Sequence, residues 1–126
     1  SIAAGELFYT HNLGIPELRQ ALAAYLSALH GEVQPSQVVL TSPGAKALMP
    51  VSHLLVDPGD RVVEVVPLWP NLLEIPKILG ATVSTVALRF SARGWRLDVG
   101  ELLDRLTPGT RALYLNSPSN PTGSMK

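Results

Sequence analysis

Residues 57–71 read DPGDRVVEVVPLWPN, and this stretch decides the fold. Its first four residues form a turn signal, with Pro58 and Gly59 at the two central positions of a type II turn. A nearly continuous β-branched run follows over 61–66 and predicts a buried strand. Pro67 ends that strand, and a helix is predicted over 70–79. A strand that is apolar on both faces is typical of a parallel sheet covered by helices on both sides.

The same alternation extends outward in both directions. Further helices are predicted over 16–30, 45–56 and 98–106, further strands over 38–41, 82–88 and 111–115, and a polar loop over 90–95. Strands separated by helices predict an α/β fold with three α/β/α layers and a mostly parallel sheet. Ligands gather beyond the carboxyl ends of such strands, so functional residues are expected in the loops 42–46, 67–71 and 116–123.

Composition narrows the function classes. The chain has 126 residues, of which 46% are hydrophobic and 16% charged, as expected of one globular domain. Ten basic and ten acidic residues cancel, so neither nucleic acid nor an anionic membrane is an expected partner. Cysteine is absent and the three histidines are scattered, so no metal site is expected. No apolar run is long enough to span a membrane, and a cytoplasmic location is the default expectation. The missing initiator Met and the abrupt end at Lys126 suggest a fragment.

The loop at 42–46 joins a predicted strand to a predicted helix. Small residues at a helix N-terminus leave backbone N–H groups free, and the helix dipole adds positive potential. Such a turn suits a phosphate group, although most strand-to-helix turns that contain glycine bind none. The spacing of a Walker loop is missing.

The other two loops each leave two interpretations open. Trp69, flanked by Pro67-Leu68 and Pro70, would either stack on a flat heteroaromatic ring or cap the core. Asn120 precedes Pro121, which favours an extended backbone. Its amide would either donate a hydrogen bond over the strand ends or form an Asx turn with its own backbone.

Residues 120–123, Asn-Pro-Thr-Gly, resemble the N-P-T-G signature of class I and II aminotransferases, which use pyridoxal phosphate. Four more segments resemble motifs of that family in the same order. They are Tyr9 with 14–19 (GIPELR), the phosphate turn at 41–48, the turn at 57–60, and PLWP at 67–70. The resemblance covers about Gly5 to Gly123, and it departs at Pro43, where the family often has glycine.

The resemblance implies a role for six residues in binding pyridoxal 5′-phosphate. Asn120 would bond the 3′-hydroxyl of the cofactor, and Trp69 would stack on its pyridine ring. The backbone N–H groups of Gly44, Ala45 and Lys46 would hold its phosphate. Tyr9 would reach the phosphate of the neighbouring subunit, which implies a homodimer with a shared site.

The lysine that carries the cofactor in this family lies further downstream. Lys46, Lys77 and Lys126 are the lysines of this chain, and none matches that position, so no catalytic residue is expected here. The aspartate that pairs with the pyridine nitrogen and the arginine that binds the substrate carboxylate would also lie beyond Lys126. The arginines present, Arg19 and Arg111 among them, are interpreted as solvated surface. The resemblance thus implies that 1–126 is part of the large, cofactor-binding domain, without the small domain.

The implied activity is that of an aminotransferase, which moves an amino group between an amino acid and a 2-oxo acid. Three alternatives stay open: a pyridoxal-phosphate lyase or synthase of the same fold, the effector domain of an aminotransferase-like transcription regulator, and a truncated pseudo-enzyme. By the same resemblance, 61–66 should lie between 82–88 and 111–115, while 38–41 should lack neighbours. We therefore expect the isolated chain to be marginally stable, aggregation-prone and inactive.

Overall fold

The computed structural model describes residues 2–5 and 9–125 and divides into two compact units, Ser1–Gly44 and Ala45–Lys126. In the first unit, helix α1 spans Pro16–His30, the predicted bounds. Pro16 occupies the first turn, where its missing N–H costs nothing, and Gly31 follows the last turn at a φ of 93°. Two short 3-10 turns, Ile2–Ala4 and Pro35–Gln37, complete the regular structure described in this unit.

The predicted strand at 38–41 is wrong, because this segment is extended but forms no strand. Val38 is buried, as its apolar character suggested, and the N–H of Leu40 donates to the carbonyl of Leu13 at 3.0 Å. A strand needs a neighbour along its length, and none runs beside this segment within the described part of the chain.

The interpretation of Arg19 as a solvated surface residue is also wrong. Its guanidinium donates to the carbonyls of Val38 and Pro35, each at 2.8 Å.

The second unit contains the sheet and three helices. Its strands are β1 (Arg61–Val66), β2 (Thr82–Ala87), β3 (Arg89–Ser91), β4 (Gly94–Arg96) and β5 (Thr110–Tyr114). Its helices are α2 (Ala45–Leu55), α3 (Pro70–Ile78) and α4 (Val99–Arg105). Strands β2, β1 and β5 form a parallel sheet in that order, which confirms the expected central place of 61–66.

The two faces of β1 are covered differently. On one face, Val63 and Val65 pack with Val86, Leu88 and Leu102 of α4 in the hydrophobic core. On the other face, Glu64 is paired in register with Tyr114 of β5, so the two side chains point to the same side of the sheet. Both faces of the strand are therefore buried, as its apolar sequence predicted.

The predicted loop at 90–95 is wrong, because it contains most of an antiparallel hairpin of β3 and β4. Phe90 and Trp95 are cross-strand partners whose rings lie 5.2 Å apart at 61°. Gly94 takes the positive φ, 89°, that the end of the turn requires. An edge-to-face aromatic pair stabilises such a short hairpin without the apolar run that marks a core strand.

Candidate functional site

The loops after β1 and β5 leave the sheet on the same side, beyond the carboxyl ends of its strands, and we call this side the carboxyl edge. Glu64 and Tyr114 are register partners near the ends of these adjacent parallel strands, so the chain leaves both strands in the same direction. Trp69 follows β1 and Asn120 follows β5. The structure therefore places both residues that were predicted to contact a cofactor ring at this carboxyl edge.

Trp69 is half-buried and its backbone is fixed by the start of α3. Its carbonyl accepts from the N–H groups of Leu72 and Leu73 at 2.9 and 3.2 Å. Pro70 occupies the first position of the helix, where a proline needs no hydrogen-bond partner. The indole is thus held on a rigid backbone and is still partly accessible, as required of a surface on which a planar ring stacks.

Helix α2 directs its N-terminus toward the same edge. At its other end, the guanidinium of Arg111, near the start of β5, donates to the carbonyl of Leu55. The hydroxyls of Ser52 and Tyr114 lie 2.7 Å apart near the end of β5. The helix therefore runs antiparallel to β5 and begins, at Ala45 and Lys46, near the carboxyl ends of the strands. Its first N–H groups have no partner within the helix, and the dipole there favours an anion.

The loop 116–124 holds the main chain of Asn120 through a residue that the sequence interpretation did not single out. The N–H of Asn120 donates to Oδ1 of Asn116 at 2.7 Å, while Asn120 itself is exposed. The Asx-type bond is therefore made by Asn116, and Asn120 remains exposed to solvent. A second asparagine four positions before the motif asparagine was the signal that could have identified Asn116.

Two of the predicted cofactor-binding residues belong to the first unit. Tyr9 is fully exposed. A Cβ added at Gly44 would meet nothing within 4 Å, and the φ of Gly44 is not in the left-handed region. The packing of the described residues therefore does not require glycine at this position, and its expected role in holding a phosphate stays a prediction.

Glu64 carries an ionisable carboxyl group, which is unusual at the centre of a sheet. It is 0% exposed, and neither carboxylate oxygen has a hydrogen-bond partner. Burial raises the pKa of Glu64 from 4.5 to about 7, while nearby Lys77 lowers this pKa and Glu74 raises it. A carboxyl that is neutral when buried avoids most of the cost of an unpaired charge in an apolar environment.

The two described lysines lie on helices α2 and α3. Lys46 is exposed at the start of α2, and Lys77 pairs with Glu74 on the surface of α3 at 2.8 Å. Lys126 lies outside the described residues.

Within 2–5 and 9–125, no group of three or more His, Asp or Glu side chains is placed to hold a metal ion. Over the same residues, no helix has the length and apolar character needed to cross a membrane.

Two surface depressions lie away from the predicted cofactor residues. One, of about 390 Å³, is lined by residues of the β3–β4 hairpin and the start of α4. The other, of about 220 Å³, is lined mainly by apolar residues of α2 and β5. Neither includes Trp69 or Asn120 in its lining.

The chain is similar to aminotransferases over nearly its whole length. The family model of class I and II aminotransferases matches residues 3–125. Aspartate aminotransferase of Sulfurisphaera tokodaii is 36% identical over 98% of this chain and 31% of its own length. The aspartate/prephenate aminotransferase of Thermus thermophilus is 35% identical over 99% of this chain and 32% of its own length.

Solved structures agree with these relatives. The chain superimposes on N-succinyldiaminopimelate aminotransferase from Mycobacterium tuberculosis with a TM-score of 0.89 and 35% identity. That alignment covers 98% of this chain and 33% of the other. The chain thus spans about a third of the length of the proteins that it matches. Together, the α/β fold, the matching motifs and these similarities show that the chain belongs to the class I and II aminotransferase family.

Proposed function

We propose that this chain is part of the large domain of a pyridoxal-phosphate-dependent aminotransferase and binds the cofactor. The protein would move an amino group between an amino acid and a 2-oxo acid. The observation that supports the proposal is the arrangement at the carboxyl edge of β1 and β5, where Trp69, the loop of Asn120 and the N-terminus of α2 all lie. The proteins similar to it are named as aminotransferases, which favours this activity over a lyase or a regulator.

The residues present fit the three chemical parts of the cofactor. The first N–H groups of α2, with that of Gly44 before them, suit a phosphate dianion. The partly accessible indole of Trp69 suits the pyridine ring, and the exposed amide of Asn120 suits the 3′-oxygen. When bound, pyridoxal phosphate supplies the electron sink for breaking a bond at the amino acid's α-carbon. The role of this chain's residues is to hold and orient the ring.

The catalytic base is proposed to lie outside this chain. Lys46 belongs to the phosphate turn, and Lys77 is engaged with Glu74 on α3. The residues that bind the substrate carboxylate are likewise assigned to the remainder of the protein. We propose a homodimer in which Tyr9 reaches the phosphate bound by the partner subunit, and a cytoplasmic location; for Tyr9 the supporting observation is its full exposure.

The test is an absorbance titration of this 126-residue chain with pyridoxal phosphate. Borohydride reduction and mass-spectrometric mapping of the labelled lysines follow. The chain has two tryptophans, Trp69 and Trp95. In the variant Trp95→Phe, fluorescence quenching therefore reports on Trp69 alone. We expect saturable binding without stoichiometric labelling of any one lysine. Loss of the ring contact in Trp69→Leu should weaken binding about fivefold to tenfold. A Cβ at Gly44 meets no protein atom within 4 Å, so Gly44→Ala should leave stability unchanged. Its methyl group would crowd a phosphate held by the backbone N–H groups and so weaken binding.

Two outcomes would contradict parts of the proposal. Stoichiometric labelling of Lys46 would place the cofactor-bearing lysine inside this chain. Binding of pyridoxal phosphate that is unaffected by both Trp69→Leu and Gly44→Ala would remove the proposed site. Pyridoxal, which lacks the phosphate, serves as the control ligand and should not discriminate between Gly44 and alanine.

A further inference from the structure

The loop that carries Asn120 is closed by its own hydrogen bonds. The N–H of Ser119 donates to the carbonyl of Ser124 at 2.8 Å, and the N–H of Gly123 donates to the carbonyl of Ser119 at 2.6 Å. The hydroxyls of Thr122 and Ser124 lie 2.7 Å apart. Ser119 is buried, with 6% of its surface exposed. Residues 119–124 thus form a compact turn that keeps its shape internally.

A turn of fixed shape still needs an anchor to the sheet. Asn116 lies two positions after Tyr114, the last residue of β5, and it is half-buried. Its Oδ1 accepts from the N–H of Asn120 at 2.7 Å, which is a short and favourable distance for such a bond. This bond connects the end of the strand directly to the residue whose side chain is exposed at the site.

We propose that Asn116 is a positioning residue for the cofactor site: its side-chain carbonyl holds the main chain of Asn120 so that the Asn120 amide faces the bound ring. The inference rests on the proposed function, because it assigns the ring contact to Asn120. It adds a residue that touches neither cofactor nor substrate and acts through Asn120. The short amide side chain suits this task because Oδ1 reaches the Asn120 N–H without adding a charge near the site.

The first measurement needs no cofactor. Backbone amide exchange of Asn120 is followed by NMR in the protein as its gene encodes it, unchanged and with Asn116→Leu, Asn116→Asp or Asn12→Leu. Leucine removes the acceptor at similar size, and aspartate keeps it. Loss of one hydrogen bond should raise the Asn120 exchange rate about tenfold in Asn116→Leu. Asn116→Asp and the control at Asn12, which is exposed in a turn, should exchange like the unchanged protein.

The second measurement uses bound cofactor. The absorbance of the pyridoxal-phosphate complex is recorded against pH for the unchanged protein, Asn116→Leu and Asn120→Ala. A positioning role predicts that Asn116→Leu shifts the titration midpoint in the same direction as Asn120→Ala and by a smaller amount. It also predicts about fivefold weaker binding, the fold-change expected when one hydrogen bond is lost. A residue with a purely structural role would lower stability without moving the midpoint.

The outcomes separate this inference from the proposed function. Asn120 exchange and a titration midpoint that are both unchanged in Asn116→Leu would overturn the inference while leaving cofactor binding intact. Failure of the unchanged protein to bind pyridoxal phosphate would overturn the proposed function, and the inference with it, even with faster Asn120 exchange. Loss of amide protection throughout β5 in Asn116→Leu would show that Asn116 is needed for folding, and would also overturn the positioning role.

Discussion

The hydroxyl oxygens of Ser52 and Tyr114 lie 2.7 Å apart and join α2 to β5. Ser52 is 1% exposed, so its hydroxyl makes this bond away from solvent. Helix α2 begins at the edge where the candidate site lies, and Tyr114 is the last residue of β5. The bond therefore fixes the distance between the proposed phosphate-binding turn and the strand that leads to Asn120.

Removing either hydroxyl should destabilise the second unit. Ser52→Ala and Tyr114→Phe should each lower the free energy of unfolding by about 1–2 kcal/mol, because each leaves the other hydroxyl without its partner. Urea unfolding of both single variants and the double variant measures the coupling, expected to be about 1 kcal/mol. Ser36→Ala, at an exposed serine, is the matched control and should change little. Strictly additive effects in the double variant would contradict a direct bond.

Stability should depend on pH through Glu64. Its pKa in the folded chain, about 7, lies above the ordinary value of 4.5, so the folded state binds the extra proton between these values. The contribution of Glu64 to the free energy of unfolding is then highest below about pH 4.5, falls as the pH rises to about 7, and is constant above. A pKa raised from 4.5 to about 7 corresponds to a loss of about 3 kcal/mol across this interval.

The amide of Glu64→Gln has nearly the same shape and does not titrate. This variant should abolish the fall in stability between pH 4.5 and 7 that is assigned to Glu64, as measured by urea unfolding at a series of pH values. Glu17→Gln, at an exposed glutamate in the first turn of α1, should leave the fall in place. A profile for Glu64→Gln that still falls over this interval would assign the dependence to another group.

Gly14 should be essential to the first unit. A Cβ at this position would lie 2.5 Å from Leu40, and the φ of Gly14 is +99°, so Gly14→Ala adds a steric clash to a strained backbone. Gly31→Ala is the control, because its φ is +93° and its Cβ would meet nothing within 4 Å. We expect Gly14→Ala to cost about 2 kcal/mol more than Gly31→Ala. Faster exchange of the Leu40 amide, which donates to Leu13, would report the damage locally. Equal costs for the two variants would show that Leu40 accommodates the methyl group.

Strand β5 should make the isolated chain self-associate. It is an outer strand of the three-stranded sheet, and Leu113 within it is 39% exposed. A lysine on an edge strand opposes pairing with a second chain, so Leu113→Lys should lower the fraction of associated chains in sedimentation velocity. Leu103→Lys is the control, since Leu103 is 61% exposed on helix α4. A similar effect of both variants would assign the association to general surface hydrophobicity.

The sequence predicted the elements that special residues delimit. The turn before β1 and the prolines around Trp69 gave nearly correct bounds for β1 and α3, because each has a specific backbone preference. The strand predicted at 38–41 was wrong because an apolar run indicates burial only, whereas the missing neighbour that prevents a strand there was expected from the family resemblance. The hairpin at 89–96 was missed because its short strands carry no apolar run, and its cross-strand ring contact exists only once the strands have paired.

The candidate site was predictable only in part, for a related reason. Trp69 and Asn120 stand in distinctive local patterns, and the structure places both at the edge that the parallel sheet predicted. Asn116 accepts from the backbone N–H of Asn120, and its sequence signal, an asparagine four positions before the motif asparagine, was not singled out. Glu64 was counted as part of an apolar strand, and its unpaired burial became visible only with the packing of both sheet faces.

From the strand order β2–β1–β5 we expect a particular order of events in folding. Strands β1 and β2 are joined by α3 alone and can pair early, because the loop that closes between them is short. Strand β5 must come from further along the chain, past the hairpin and α4, and so pays a larger entropic cost. We expect the indole of Trp69 to be in place while Asn120 is still on an undocked segment. A ligand that contacts both would favour the last step, and it would act as a template for completing its own binding site.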